Sequence, residues 1–196
     1  MPHLTYKLKC FSIKPLFYNE LYIYLYQQIY RDMRRVEFVP FRLTDVAEIF
    51  SIRLEDKKYS ELQEFLIGYK DSKDTYIRND LDEIIKSFAG IVSEGVKESF
   101  FRPEGNMNDR VCAIPILTAY RDKKKHGTLR IYCIRISDKL LVVGGGGLKN
   151  TQTYEEDEKL HMHVQILQKI DAVLTRIEME GKEIEKEIYN LIINID

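Results

Sequence analysis

Near the start of the chain Leu4, Tyr6, Leu8 and Cys10 alternate with Thr5, Lys7 and Lys9, the period of two that marks a half-buried strand. Pro15 stops it. From Phe17 to Met33 the apolar step lengthens to four through Leu21, Leu25 and Ile29, which predicts a helix. The tyrosines at 18, 22, 24, 26 and 30 make a strand pair conceivable there, because aromatic side chains favour strands. Packing explains them more simply than a base-stacking platform. Thr44 can cap a short helix through Phe50. Ser60, with Gln63 or Glu64 close behind, opens another with Leu62, Phe65, Leu66 and Tyr69 on its apolar face. Asp74 or Thr75 starts a third, carrying Ile77, Leu81, Ile84, Ile85 and Phe88, which Gly90 and Gly95 loosen or end. Helices dominate the first half of this reading.

The pattern then changes. Glu98–Arg102 reads as a short strand closed by Pro103 and Gly105-Asn106, and Val111–Tyr120 as a strand whose Pro115 implies an edge or a bulge. Leu129–Ser137 and Leu140–Val143 form an antiparallel pair joined tightly through Asp138-Lys139, and the glycines at 144–147 end it as a flexible turn. Helical spacing returns after Thr153, from Leu160 through Val164, Leu167 and Leu174 to Ile177, with Gly181 as a stop. Glu183–Asp196 places Ile184, Ile188, Leu191, Ile192 and Ile195 on one helical face. The expected fold is α+β: an antiparallel sheet of three to five strands packed with helices, a helical first half and C-terminal helices. Residues 1–97 form a helix-rich part with one possible strand, 98–182 the sheet plus a helix, and 183–196 a helical tail, all in one compact unit.

Composition narrows the classes. Apolar residues make up 44% and charged ones 31%, ordinary for a globular chain. The net charge is −1 but unevenly spread. Residues 100–154 hold ten Lys and Arg against four Asp and Glu, whereas 155–196 hold five against eleven. That suits a polyanion-binding face or internal pairing between the two segments. The odd cysteines, Cys10, Cys112 and Cys133, read as buried thiols in a reducing compartment. No run approaches the roughly 18 apolar residues of a membrane helix, and no leader pattern opens the chain. A cytoplasmic protein without membrane partners is the expectation.

The candidate chemistry is concentrated in the basic segment. Gly144–Thr151 is not a phosphate loop, because Leu148 and Asn150 stand where a Walker loop needs Gly and Ser/Thr around its lysine. Lys149 can still meet a phosphate as a point charge. His161 and His163, two apart on a helix, diverge and make no metal pair, so neither metal nor cofactor is assigned. Lys123, Lys124, Lys125 and His126 form a basic turn, either a solvated loop or a guide for nucleic acid. Alternation in Leu129–Arg135 puts Arg130 and Tyr132 on one face and Arg135 on the other unless a bulge intervenes. An arginine beside a tyrosine can grip phosphate and engage a nucleotide; an ion pair from this face to the acidic final helix accounts for the spacing equally well.

The order Leu129–Arg135, Leu140–Val143, the glycines, then Lys149-Asn-Thr-Gln-Thr-Tyr154 and a helix resembles the RelE/HigB superfamily of bacterial toxins. Phe101-Arg-Pro-Glu-Gly105, Val111-Cys-Ala113 and Thr153–Asp157 also look like a family of uncharacterised bacterial proteins found near small helix-turn-helix regulators. The resemblance covers roughly residues 98–175, and Phe50–Phe88 more weakly. It implies metal-independent cleavage of mRNA on the ribosome by attack of a ribose 2′-hydroxyl on the adjacent phosphate. Arg130 and Lys149 would stabilise charge, Tyr132, Tyr154 or His126 would transfer protons, and Arg102 and Arg110, with Lys123–Lys125 and Arg135, would bind RNA. The superfamily's second lysine is Asn150 here, and the chain is about twice the length of a minimal toxin. The alternative is a non-catalytic interaction or regulatory module that binds a regulator or a second copy through its C-terminal helices. A toxin reading adds mRNA, the ribosome and a small helix-turn-helix antitoxin as partners.

Overall fold

A computed structural model describes residues 34–106, 108–116 and 127–195. The predicted strand at Leu4–Cys10, the helix at Phe17–Met33, the basic turn with Lys123, Lys124, Lys125 and His126, and the end of the Val111–Tyr120 strand lie outside these residues. The chain divides into two compact units, residues 1–33 and 34–196, and the description below concerns the second.

In chain order the elements are β1 (Arg34–Leu43), β2 (Glu48–Leu54), α1 (Glu61–Tyr69), α2 (Thr75–Glu94), β3 (Arg102–Pro103), β4 (Val111–Ala113), β5 (Thr128–Arg135), β6 (Leu140–Lys149), α3 (Glu158–Met179), α4 (Ile184–Glu187) and β7 (Ile192–Ile195). The strands form one seven-stranded sheet in the order β3-β4-β5-β6-β2-β1-β7. All neighbours are antiparallel except β2 and β6, which run parallel over Glu48–Ser51 and Leu140–Val143. The fold is α+β as expected, but the sheet is mixed and exceeds the expected three to five strands.

Helices cover both faces. On one, α1 and α2 bury Leu62, Phe65, Leu81, Ile84 and Phe88 against Ile49, Ile131, Leu141 and Val143. On the other, α3 and α4 bury Leu160, Val164, Leu167 and Ile184 against Phe50, Ile134, Leu140 and Val142. Alternate residues of one strand therefore feed opposite cores, which explains why Leu140–Val143 reads as an unbroken apolar run.

The helix starts follow their capping signals. Ser60 Oγ accepts from the Gln63 N–H at 3.4 Å, and Gln63 Oε1 accepts from the Ser60 N–H at 3.0 Å. Asp74 caps α2 and Asp157 caps α3. Four expectations need correction. Thr44–Phe50 is not a helix: Thr44 closes a turn by accepting from the Ala47 N–H at 3.0 Å, and Glu48 already begins β2, whose residues Ile49–Ile52 are buried on both faces. The first half is consequently not all helical. Glu98–Phe100 is a 3-10 turn, leaving only Arg102–Pro103 as strand. The glycines 144–147 do not end β6 but lie within it. Finally, Glu183–Asp196 is not a helical tail. A single turn, α4, precedes strand β7, and Ile184, Ile188, Ile193 and Ile195 are buried in the protein's own core. No helix among the described residues is long and apolar enough to cross a membrane.

The glycine run is explained by what presses on it. Between Ile131↔Gly146 and Cys133↔Val143 the register slips, so β6 carries an extra residue opposite β5. A Cβ on Gly145 would fall 2.2 Å from His163 Nδ1, and one on Gly144 2.8 Å from the Leu167 side chain. Glycine in a strand marks a bulge or a close approach; here it marks both.

Candidate functional site

The cationic side chains of the basic segment converge on the face of the sheet that α3 covers. Directly paired residues share a face. Thr128 pairs with Lys149, Arg130 with Gly147, and Tyr132 with Ala113, which pairs in turn with Arg102. Arg102, Arg130, Tyr132 and Lys149 thus share one face. Gly147, opposite Arg130, leaves that position without a side chain. Tyr154, in the loop entering α3, sets its ring 6.1 Å from that of Tyr132, edge-on, and stacks on His161 at 6.1 Å.

At the edge of the cluster Glu104 forms an ion pair with Arg102 at 3.7 Å, and its side chain is only 11% exposed. One carboxylate therefore stands among three cations. Burial lowers the Arg130 and Lys149 pKa values, and Glu104 works against that shift in both. Burial and then Glu104 hold the Tyr132 phenol well above its usual range. Tyr154 is pushed up to about 12, by burial and then by Glu155. Both phenols keep their protons at neutral pH and can donate hydrogen bonds.

The other two described arginines of the basic segment, Arg110 and Arg135, are engaged elsewhere. Arg110 Nε donates to Asp171 at 2.7 Å, Nη1 to Glu178 at 2.9 Å and Nη2 to Thr175 at 3.2 Å. The ion pair to the acidic final helix that sequence alone allowed for Arg130 is made by Arg110. Arg135, on the opposite face as alternation implied, donates to the Val96 carbonyl at 2.8 Å and pairs with Asp138 and with Glu98 at 3.7 Å. Arg130 itself reaches the Leu129 carbonyl at 3.3 Å.

The structure thus brings together Arg102, Arg130, Tyr132, Lys149 and Tyr154, and adds Glu104, which sequence reasoning passed over, and His161, which it weighed only as a metal ligand. Glu104 follows Arg102 by two residues, just past the two-residue edge strand β3, and that spacing was the available signal. Chemically, the cluster can neutralise a phosphate, donate a proton from the half-buried Tyr154 phenol and accept one at a carboxylate; the Tyr132 ring beneath it is 1% exposed, part of the core. Comparison with known proteins gave no matching family model, no matching curated protein and no matching solved structure.

Proposed function

We propose that this protein is a toxin-type, metal-independent endoribonuclease acting on mRNA, in the manner of the RelE/HigB toxins that its sequence resembles. The observation that carries the reading is the convergence of Arg130, Lys149 and Arg102 with Tyr132, Tyr154 and Glu104 on one sheet face. The reaction forms a bond from the ribose 2′-oxygen to phosphorus and breaks the bond to the 5′-oxygen. It leaves a 2′,3′-cyclic phosphate and a 5′-hydroxyl. Glu104 takes the 2′-hydroxyl proton, and Arg130 and Lys149 offset the charge gathering on the phosphorane. A phenol held protonated supplies the leaving oxygen with its proton; of the two candidates Tyr154 is half-buried and within reach, whereas Tyr132 is 1% exposed and backs it from the core. Such a protein works in the cytoplasm, on the ribosome, restrained by a small DNA-binding antitoxin.

Induced expression tests this directly. Growth should stop, translated mRNA should be cut to fragments ending in cyclic phosphate, and Arg130→Ala with Lys149→Ala should abolish both. Unaltered growth with intact transcripts at high expression overturns the reading.

A further inference from the structure

A cavity lies on the other side of β6. β2 and β6 are the parallel pair of the sheet, and they part after Ser51 and Val143. β2 leads into α1 on one face, and β6 leads toward α3 on the other. In α/β sheets the crevice beyond the carboxyl ends of two such strands is where ligands bind, because the chain leaves in opposite directions and opens a gap. Here that gap is a cavity of about 440 Å³, and its wall includes Leu54, Glu61, Phe65, Gly146, Met162 and His163.

Its floor is polar and unsatisfied. Glu61 and His163 are 5% and 8% exposed, with His163 Nδ1 3.6 Å from Glu61 Oε2, beyond hydrogen-bond range. His163 Nε2 is buried and finds no hydrogen-bond partner among the described residues. Burial lowers the imidazole to about 4, so it is neutral and does not balance Glu61. No lysine or arginine among the described residues makes an ion pair with that carboxylate.

The strand edge adds a donor. Leu129 gives its N–H to Asp80 at 2.9 Å, so the Leu129–Leu148 pair is not hydrogen-bonded. Ile131, two residues on, turns its carbonyl to Ile114 of the β4 side. By the same alternation its partner Gly146, at the edge of the bulge, turns its peptide from β5 toward the side that β2 has left. Gly146 borders the cavity as bare peptide.

These groups define a ligand. An ammonium would leave the peptide N–H unused, and the charges lining the cavity do not call for one: Arg34, Lys57 and Lys159 stand against Asp56, Glu61 and Glu64, with Lys57 paired to Glu64 at 2.6 Å. A simple anion would be repelled by Glu61. The floor instead suits a neutral edge with N–H donors for the carboxylate beside a carbonyl for the peptide N–H. The apolar walls, Phe65 from α1 and Met162 and Ile166 from α3, suit a flat ring. We propose that this crevice binds a guanine-type nucleotide, its lactam edge on Glu61 and Gly146 and its phosphate at the mouth beside Lys159. The site stands independently of the ribonuclease reading.

Calorimetric titration of the full chain with guanosine and adenosine 5′-monophosphates, and with UUGUU and UUAUU RNA, provides the test. Guanosine monophosphate should bind at least 10-fold tighter than the adenosine nucleotide. Glu61→Gln should cut its affinity at least 10-fold, and exposed Lys159→Ala, which leaves the core untouched, should weaken the nucleotide more than guanosine. Binding of the free nucleotide alone identifies a soluble ligand; equal binding of UUGUU identifies a base within RNA; both support the site. Equal affinity for the guanosine and adenosine nucleotides, binding of neither, or indifference to both substitutions overturns it.

Discussion

Two regions packed by the same helix treat their charges in opposite ways. At the Arg110 corner, charge meets charge: Asp171, 3% exposed, accepts from both the backbone and the side chain of Arg110, and Glu178 takes the other end. Around β6, ionisable groups are desolvated with little to balance them. Arg130, Lys149 and His163 are all shifted toward their neutral forms by burial, and Glu61 is raised by the same cause. The first arrangement is what structure needs. The second opposes stability and is the kind found where chemistry or binding occurs. A basic stretch of sequence thus divides into arginines that hold the fold together and cations left available to a ligand.

Three measurements break or sharpen that contrast. Asp171→Ala strands Arg110 beside a buried gap and should destabilise the protein by about 3 kcal/mol in denaturant titration; Arg130→Ala should cost under about 1 kcal/mol. If the two cost the same, the contrast fails. Next, His163 has a folded-state pKa near 4 against 6.5 in the open chain. In that window the unfolded state binds more protons, so stability falls as pH falls, by about 2 kcal/mol between pH 7 and 5. His163→Gln should remove that loss. Lys159, Lys57, Glu64 and Asp157 act on the imidazole, and Glu61, shifted upward, contributes in the opposite sense, so the comparison is with the variant at each pH. The smallest effect concerns Lys149→Gln, which should lower the salt slope of RNA binding by about one while leaving the melting transition in place. An unchanged slope removes Lys149 from the phosphate-binding face.

Local signals were legible in the sequence and non-local ones were not. The Ser60–Gln63 box, the Asp74 cap and the spacing from Leu160 to Leu174 each lie within a few turns of chain, and each gave its helix. Strand β1 also had a signal, Val36 and Phe38 alternating with Arg35 and Glu37, which the helical reading of its surroundings obscured. The glycine strand could not be read locally, since its reason is the pressure of Leu167 and His163 from a helix formed later in the chain. Period-two alternation put Arg130 beside Tyr132, and the cross-strand register then placed Lys149 with them. Glu61 gave no such sign: an acid in the first turn of a helix is ordinary. It becomes distinctive only when β2 and β6 part.

The pairing of Arg34 with Ile195 at the far edge of the sheet has a consequence for how the protein is made. β1 borders β2 early in synthesis, but its other edge meets β7 only after residues 192–195 have been added. Until then the Arg34–Glu37 part of β1 presents an edge that β7 has yet to cover. Contacts of such long sequence separation are slow to form. Closing this end of the sheet therefore waits on the pairing of Arg34–Glu37 with Ile192–Ile195, the widest sequence separation among the described strand pairs.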